Sequence, residues 1–215
     1  LSRHILPAGI SLRNQEWSRG KFMGNELYGK TFGVIGVGRI GSEVIRRLQA
    51  FDMKVLAYDP YISVQAADRL GIKLVDRNSL IQTADYVSIH VPLTPETHHS
   101  ISTDEFALMK SNCRLVNCAR GGIIDESALY IALKDQQIAG AALDVFEHEP
   151  PADHRLMELD NFLATPHLGA STTEAQNMVA IEVAQKVIDS LHQLPIENAV
   201  NQPNMEKFDV LQPYL

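Results

Sequence analysis

Short apolar runs alternate with amphipathic stretches along most of the chain. The apolar runs carry few charges and little period-two alternation, as expected of strands that are buried on both faces of a sheet. They cover residues 31–36, 54–59, 85–91, 113–118, 138–145 and 161–165. Segments with helical spacing lie between them, at 39–50, 63–70, 78–84, 103–109 and 125–135. This alternation predicts a doubly wound α/β fold with a parallel sheet.

The two ends of the chain depart from this alternation. Residues 1–30 mix apolar side chains with Arg and Asn, which predicts one or two short amphipathic helices and then a loop at 18–30. Near the other end, Ser171 and Glu174 have the spacing of a capping box, which predicts the start of a long C-terminal helix. Residues 193–215 are rich in Pro and Asn, so we expect a return segment or a poorly ordered tail.

Composition narrows the classes of function. The chain has 215 residues, of which 45% are hydrophobic and 21% charged, as in ordinary globular proteins. The net charge of −7 argues against a general nucleic-acid-binding surface. No apolar run has the length of a membrane span, and the N-terminus lacks the pattern of a signal peptide.

Cysteine usage predicts a reducing compartment such as the cytoplasm. Cys113 and Cys118 lie five residues apart in one strand-like run, so they point to opposite faces and are not expected to pair. There is no CxxC and no Cys/His array, so we predict no metal site of the zinc type.

A glycine motif follows the first predicted strand. Gly36, Gly38 and Gly41 form G-x-G-x-x-G between that strand and a helix, where glycines allow a tight turn, close approach of a pyrophosphate and close helix packing. Asp59 ends the next strand, where a carboxylate accepts hydrogen bonds from ribose hydroxyls and repels a 2′-phosphate. We therefore predict a Rossmann-like domain over residues 31–192 that binds NAD rather than NADP. A glycine turn in some other α/β protein is the alternative.

Three polar residues follow strands, at the edge where open α/β sheets bind ligands: Arg120, Glu149 and His167. Oxidation of an alcohol by hydride transfer needs a base for the hydroxyl proton, and histidine suits that role near neutral pH. A neighbouring carboxylate would stabilise the protonated imidazole, and an arginine would hold a substrate carboxylate through two hydrogen bonds. Taken one by one, Arg120 could instead form a loop salt bridge, Glu149 could decorate the surface with Glu147, and His167 could stabilise a loop.

Other polar residues near the predicted strand ends also keep two interpretations. Arg39 either contacts the pyrophosphate or faces solvent, and His90 either lies near the cofactor or has a structural role. Cys118 either lines the nicotinamide pocket or is a buried, inert thiol. His98 and His99 lie in polar surroundings and are predicted to be solvated.

Five segments in order resemble the D-isomer-specific 2-hydroxyacid dehydrogenases: GVIGVGRIG, YDP, LVNCARGGIIDESAL, AGAALDVFEHEPP and PHLGASTTEAQ. The likeness extends to about residue 192 and implies catalytic roles. Arg120 falls on the arginine of the family's N-x-x-R-G-G motif, Glu149 on the glutamate of D-V-F-x-x-E-P, and His167 on the histidine of P-H-x-G. The resemblance thereby favours Glu149 over Glu147.

The same resemblance implies a set of cofactor contacts. It places Cys118 and Ala119 beside the nicotinamide and Asp144 at its carboxamide. The family often has Thr where this chain has Val91, so a side-chain hydrogen bond is expected to be absent there. The full set comprises Gly36, Gly38, Arg39, Ile40, Gly41, Asp59, Pro60, His90, Val91, Pro92, Cys118, Ala119, Arg120, Asp144, His167, Gly169 and Ala170.

Within the family, 17-WSRGKFMGNEL-27 and HLGASTTEAQ look most like the animal enzymes that oxidise 3-phosphoglycerate with NAD⁺ to begin serine biosynthesis. Such enzymes insert the cofactor domain within a substrate domain, so this chain is expected to be part of a larger enzyme and poorly active alone. Residues 1–30 are expected to expose Trp17, Phe22, Met23 and Leu27 and to act as an N-terminal dimerisation arm that forms a homodimer. Reduction of glyoxylate or hydroxypyruvate, or an NADH-responsive corepressor module, are the alternatives.

Overall fold

The structure is a computed structural model that describes residues 1–151, 155–192 and 194, and it divides into a unit of residues 1–169 and a unit of residues 170–215. The strands are β1 Thr31–Ile35, β2 Lys54–Tyr58, β3 Lys73–Leu74, β4 Tyr86–Ile89, β5 Arg114–Asn117, β6 Gly140–Leu143 and β7 Phe162–Ala164. The α-helices are α1 Ile5–Arg13, α2 Arg39–Gln49, α3 Val64–Leu70, α4 Arg77–Thr83, α5 Thr103–Leu108, α6 Glu126–Lys134 and α7 Thr173–Leu191. Short 3₁₀ helices span Arg19–Phe22 and Arg155–Glu158.

The seven strands form one parallel sheet in the order β3-β2-β1-β4-β5-β6-β7. This confirms the predicted doubly wound, Rossmann-like fold. The strand order reverses between β1 and β4, so the crevice beyond their carboxyl ends is where such a sheet binds ligands. Every predicted site residue up to Gly169 follows a strand or starts a helix at that edge.

Helices cover both faces of the sheet because neighbouring strand residues point in opposite directions. In β1, Val34 packs into a cluster with Ile45 of α2, whereas Ile35 packs into a second cluster with Leu80 of α4 and Leu129 of α6. All five side chains are buried. The glycine turn and the later strand ends are therefore anchored in two separate apolar layers.

Most element boundaries lie within two residues of the predicted ones. The sequence pattern did not predict β3, a two-residue strand at the sheet edge, because so short a run has no measurable periodicity. Residues 1–30 contain α1, in agreement with a predicted short helix, and a 3₁₀ turn at Arg19–Phe22 within the segment that was predicted to be a loop. None of the helices in the described ranges is long and apolar enough to cross a membrane.

The second unit contains α7, and its cap differs from the predicted one. The expected capping residue was Ser171, but the N-cap is Thr172, which has extended backbone angles and accepts a hydrogen bond from the N–H of Ala175 at 3.1 Å. Glu174 then falls in the first helical turn, where a negative charge stabilises the helix N-terminus. Apart from Leu194, the predicted return segment at 193–215 lies outside the described residues.

Candidate active site

The glycine turn is shaped by two close backbone approaches. Gly36 has φ +94°, and a Cβ atom on it would lie 2.6 Å from the carbonyl oxygen of His90. A Cβ on Gly41 would lie 2.1 Å from the carbonyl oxygen of Gly36, so no larger residue fits where α2 packs on the turn. Gly38 differs, because a Cβ there would meet nothing within 4 Å. The middle glycine therefore faces open space in front of the helix.

The start of α2 fits an anionic group. Gly38 is its N-cap and supplies no side-chain cap, and the first turn contains no acidic residue. Arg39 and Ile40 are exposed, so their N–H groups and the partial positive charge of the helix end remain open to a phosphate. This is the arrangement that a dinucleotide pyrophosphate requires. The Arg39 side chain pairs with no carboxylate among the described residues, and both interpretations of it stay open.

Asp59 is held beside the glycine turn by two backbone hydrogen bonds. Its Oδ2 accepts from the N–H of Val37 at 2.7 Å, and its Oδ1 accepts from the N–H of Tyr61 at 2.8 Å. Each carboxylate oxygen has a further lone pair that a ribose hydroxyl could use. Pro60, the next residue, is exposed. The acid is thus oriented in advance at the end of β2.

His90 lies directly against the glycine turn, with its carbonyl oxygen next to Gly36. Its backbone N–H donates to the carbonyl of Ile35 at 2.7 Å, and its ring Nε2 forms a 2.9 Å hydrogen bond with the hydroxyl of Ser88. Burial lowers the pKa of His90, which keeps the imidazole neutral at physiological pH. Val91 is half-buried against Gly36, and the following proline is exposed. These contacts establish a structural role for His90 and leave a cofactor contact as a prediction.

Asn117 holds the turn that carries Arg120. This buried side chain accepts a hydrogen bond from the N–H of Ala119 at 2.9 Å and donates one to the carbonyl of Arg120 at 2.8 Å. The sequence interpretation missed Asn117, although a polar residue that ends an apolar strand was a usable signal. Arg120 is exposed, and its guanidinium donates to the carbonyl of Ala119 at 2.6 Å but forms no ion pair with another described residue. Its charge is available to a ligand.

The Arg120 turn packs directly on the loop after β6. A Cβ on Gly121 would lie 1.8 Å from the carbonyl oxygen of Phe146 and 2.8 Å from the backbone nitrogen of Glu147. Only glycine allows these two backbones to come so close. The second glycine of the motif, Gly122, has φ +77°, a conformation that other residues rarely adopt.

Both cysteines are free thiols, as the sequence predicted. Burial raises the pKa of Cys113 to about 12. Partial desolvation and the nearby Asp144 carboxylate raise the pKa of Cys118, which is exposed just beyond β5. Cys118 therefore presents a neutral thiol at the carboxyl edge of the sheet, which is compatible with an apolar or aromatic ring beside it.

Glu149 and His167 form a hydrogen-bonded pair. The His167 Nδ1 lies 2.7 Å from the Glu149 Oε2, and the Glu149 Oε1 accepts the N–H of Phe146 at 3.1 Å. The hydrogen bond from His167 and that from Phe146 lower the pKa of Glu149 below its usual range. Because Nδ1 faces the carboxylate, Nε2 is the nitrogen left to exchange a proton with a ligand.

Asp144 positions the backbone around His167, which has φ +54°. The Asp144 carboxylate accepts hydrogen bonds from the N–H groups of Leu168 and Gly169 at 2.7 and 2.8 Å and from the hydroxyl of Thr165 at 2.5 Å. Burial raises the pKa of Asp144, but these three donors outweigh it and lower the pKa overall. The expected contact of Asp144 with a carboxamide stays a prediction.

A cavity of about 400 Å³ opens beside the Glu149–His167 pair. Its other lining residues are Phe146, Pro150, Pro151, Met157, Ala164, Thr165 and Pro166. The lining is mostly apolar, and the exposed His167 imidazole lies at its edge.

The first unit thus brings the three candidate catalytic residues onto touching loops. The Arg120 turn contacts the loop of Glu149, and Glu149 binds His167. The predicted contact Gly169 lies beside Asp144, whereas Ala170 belongs to the second unit. The arrangement offers one cation, one base with a carboxylate partner, and a nucleotide-binding edge.

A family model described as "D-isomer specific 2-hydroxyacid dehydrogenase, NAD binding domain" matches residues 1–169. The D-3-phosphoglycerate dehydrogenase of Methanocaldococcus jannaschii is 52% identical over 100% of this chain and 41% of its own length. The protein of the same name from Rattus norvegicus is 45% identical over 94% of this chain and 38% of its own length. The chain therefore spans about two fifths of the length of the curated relatives that it matches.

Solved structures agree with the fold. D-lactate dehydrogenase with NAD⁺ from Lactobacillus jensenii superimposes with a TM-score of 0.81 at 31% identity, over 94% of this chain and 64% of that one. The apo-structure of D-lactate dehydrogenase from Escherichia coli gives a TM-score of 0.85 at 36% identity, over 93% of this chain and 63% of that one.

Proposed function

Because the chain belongs to the D-isomer specific 2-hydroxyacid dehydrogenases, as their NAD-binding domain, we propose that it serves in the NAD⁺-dependent oxidation of 3-phospho-D-glycerate to 3-phosphohydroxypyruvate. This reaction would make it part of the enzyme that begins serine biosynthesis. The observation that carries the chemistry is the 2.7 Å Glu149–His167 pair on a loop that packs against the Arg120 turn. The names of the relatives at 45–52% identity support this particular 2-hydroxy acid.

The three side chains would divide the work in the following way. The guanidinium of Arg120 binds the substrate carboxylate and polarises the C2 oxygen. The Nε2 of His167 takes the proton of the C2 hydroxyl while the hydride leaves C2. Glu149 stabilises the imidazolium that results, through the hydrogen bond to Nδ1. Bound NAD⁺ supplies the hydride acceptor, so the products are the 2-oxo acid, NADH and one proton.

Cofactor binding would use the edge built by the glycine turn. The N–H groups at the start of α2 bind the pyrophosphate, and Asp59 binds the adenosine ribose. His90, Val91 and Pro92 border the cofactor in this proposal, and Cys118 and Ala119 flank the nicotinamide. The remaining proposed contacts are Gly36, Gly38, Arg39, Ile40, Gly41, Pro60, Arg120, Asp144, His167, Gly169 and Ala170.

We also propose that the chain acts within a longer enzyme. Residues 1–30 would be an arm, 31–192 the NAD-binding domain and 193–215 a return segment. The groups that hold the substrate phosphate would come from a separate substrate domain, in keeping with the two-fifths share of the relatives' length. The chain alone is then expected to bind NADH and to oxidise phosphoglycerate slowly or not at all. Robust phosphoglycerate oxidation by the 215-residue chain would overturn this proposal.

Substrate choice is tested with the complete enzyme. NADH formation is followed by absorbance with 3-phospho-D-glycerate and, in parallel, with D-lactate and D-glycerate, and NADH consumption is followed with glyoxylate. We expect the highest kcat/KM for 3-phospho-D-glycerate. Reduction of glyoxylate without any response to phosphoglycerate would refute the proposed substrate and support the alternative reductase.

The exposed arm supports a homodimer. Trp17 is 78% and Met23 82% exposed, and α1 leaves Ile5 and Leu6 more than half exposed. Phe22 and Leu27, which were also expected to be exposed, are only partly so, and Leu27 packs against the core cluster that contains Val34. So many neighbouring apolar side chains favour burial against a second copy. Light scattering at micromolar concentration should give the mass of a dimer, and Trp17→Ala should shift it toward the monomer. A monomeric parent protein would contradict the proposal. The two free thiols support a cytoplasmic location.

A further inference from the structure

Three loops that follow neighbouring strands are joined by His99, Glu126 and Glu147, which we call the His99 cluster. His99 lies between β4 and α5, Glu126 starts α6 after β5, and Glu147 follows β6. β4, β5 and β6 are adjacent in the sheet. None of the three residues has a part in the catalytic scheme above, and His99 was expected to be solvated. Its side chain is instead only 36% exposed and bonded to Glu147.

His99 makes one contact to each of the two other loops. Its backbone N–H donates to the carbonyl of Gly122 at 2.8 Å. Its ring Nε2 lies 2.9 Å from the Glu147 Oε1. The residue therefore bridges the Arg120 turn, through Gly122, and the Glu149 loop, through Glu147.

The two glutamates close the cluster through the backbone. The N–H of Glu126 donates to the Glu147 Oε1 at 3.3 Å, and the N–H of Glu147 donates to the Glu126 Oε1 at 2.6 Å. Glu147 thereby accepts from the first N–H of α6, whose N-cap is Asp125. The Glu147 carboxylate is thus the common acceptor for His99 and for the helix that follows the Arg120 turn.

The conformation of His99 indicates that its neighbours hold it in place. Its φ is +48°, in the left-handed region that non-glycine residues rarely adopt. Its ring also stacks on that of His98, with centroids 3.9 Å apart and 22° between the planes. Such a backbone persists where surrounding contacts over-determine it.

We propose that His99 is a positioning residue that sets the location of Arg120 relative to the Glu149–His167 pair. Gly122 is two residues beyond Arg120, and Glu147 is two residues before Glu149. A bridge between Gly122 and Glu147 therefore controls the distance between the two catalytic loops. The inference rests on the proposed catalytic roles but not on the identity of the 2-hydroxy acid.

Two substitutions distinguish the effect of the His99 side-chain hydrogen bond from that of its unusual backbone conformation. Asparagine tolerates positive φ, but its side chain ends too early to reach Glu147 from this position. Glutamine places an amide nitrogen where the histidine carries Nε2, and this chain already accommodates glutamine at positive φ, at Gln15 and Gln136. His99→Asn removes the bridge, and His99→Gln restores the donor. His148→Asn makes the same chemical change on the Glu149 loop, at an exposed residue that does not bridge the two loops.

In the complete enzyme, His99→Asn should lower kcat about 10- to 100-fold, the loss that a misplacement of about 1 Å produces. KM for NAD⁺ should change less than kcat does, because the glycine turn and Asp59 lie apart from the His99 cluster. His99→Gln should recover most of kcat, and His148→Asn should match the parent. The ratio of the variant's kcat to the parent's kcat is measured with whichever 2-hydroxy acid the parent oxidises. Failure of phosphoglycerate as a substrate therefore leaves this test intact.

Amide hydrogen exchange on the 215-residue chain gives a second readout that needs no turnover. His99→Asn should speed exchange at the amides of residues 119–126 and 146–149, while those of the glycine turn keep the parent rates. Unchanged exchange in both segments would overturn the proposal. So would an unchanged kcat, or a kcat loss that His99→Gln does not recover.

Discussion

The substitution Gly121→Ala tests the contact between the two catalytic loops. The added methyl group would lie 1.8 Å from the carbonyl oxygen of Phe146, whereas real Cβ atoms essentially never come closer than 3.0 Å to such an atom. Because the clash is with a backbone atom of Phe146, no side-chain rotation can relieve it. The Arg120 turn and the Phe146 loop must separate by about 1.2 Å, and Arg120 moves away from the Glu149–His167 pair with them.

The separation of about 1.2 Å sets the expected loss of catalytic rate and of stability. A misplacement of about 1 Å between catalytic groups costs roughly 10²-fold in rate. Forcing a methyl group into a filled site costs about 1–3 kcal/mol of unfolding free energy. Because Gly121 does not have a positive φ, the loss comes from the contact and not from backbone strain.

The assay compares kcat of the complete enzyme with the NADH affinity of the 215-residue chain. Gly121→Ala should lower kcat roughly 10²-fold and leave NADH affinity, measured by fluorescence, within about fivefold. Gly20→Ala is the matched control, since a Cβ there meets nothing within 4 Å. A Gly121→Ala enzyme with parental kcat would refute the idea that this close approach positions Arg120.

Three further predictions concern the carboxylates. Asp144→Asn should unfold about 1–3 kcal/mol more easily at neutral pH because it loses a charged acceptor for three donors. Folding lowers the pKa of Asp144, so the ionised carboxylate stabilises the folded state fully when the pH is above about 3.8, the usual pKa of Asp. The difference in urea unfolding between the parent and Asp144→Asn should therefore shrink as the pH falls below that value. Asp59→Ala should weaken NADH binding roughly tenfold and reduce discrimination against NADPH in calorimetry, whereas Asp68→Ala on exposed α3 should not. Glu149→Gln should lower kcat by roughly 10²-fold in stopped-flow turnover, while the affinity for NADH stays at the parent value.

The local sequence pattern was sufficient to predict the glycine turn and the acid of the nucleotide-binding edge. The glycine motif lies within six residues, and the acid ends the next strand, so both appear as spacing in the chain. The structure then explains each position: Gly36 needs its positive φ, and Gly41 needs the absence of a side chain. The N-cap of α7 is Thr172, one residue beyond the predicted Ser171. The residue three positions after Thr172 is Ala175, so this cap lacks the acidic partner that the capping-box pattern requires.

The spacing of residues along the sequence could not predict which side chains contact each other across different loops. Glu147 and Glu149 look equivalent as residues of one acidic loop, and only the resemblance to known enzymes favoured Glu149. In the structure Glu149 binds His167, 18 residues away, and Glu147 binds His99, 48 residues away. Asn117 is a different case, because its two hydrogen bonds lie within its own turn and its position at the end of an apolar strand was a signal that the sequence interpretation passed over.

By itself, the sequence determined the parallel α/β sheet, the glycine turn and the order of the candidate residues, because hydrophobic periodicity and backbone sterics act between near neighbours in the chain. Tertiary structure decided which polar side chains meet. The parallel sheet brings the loops after β4, β5 and β6 to one edge, and hydrogen-bond geometry there assigns one glutamate to His167 and the other to His99.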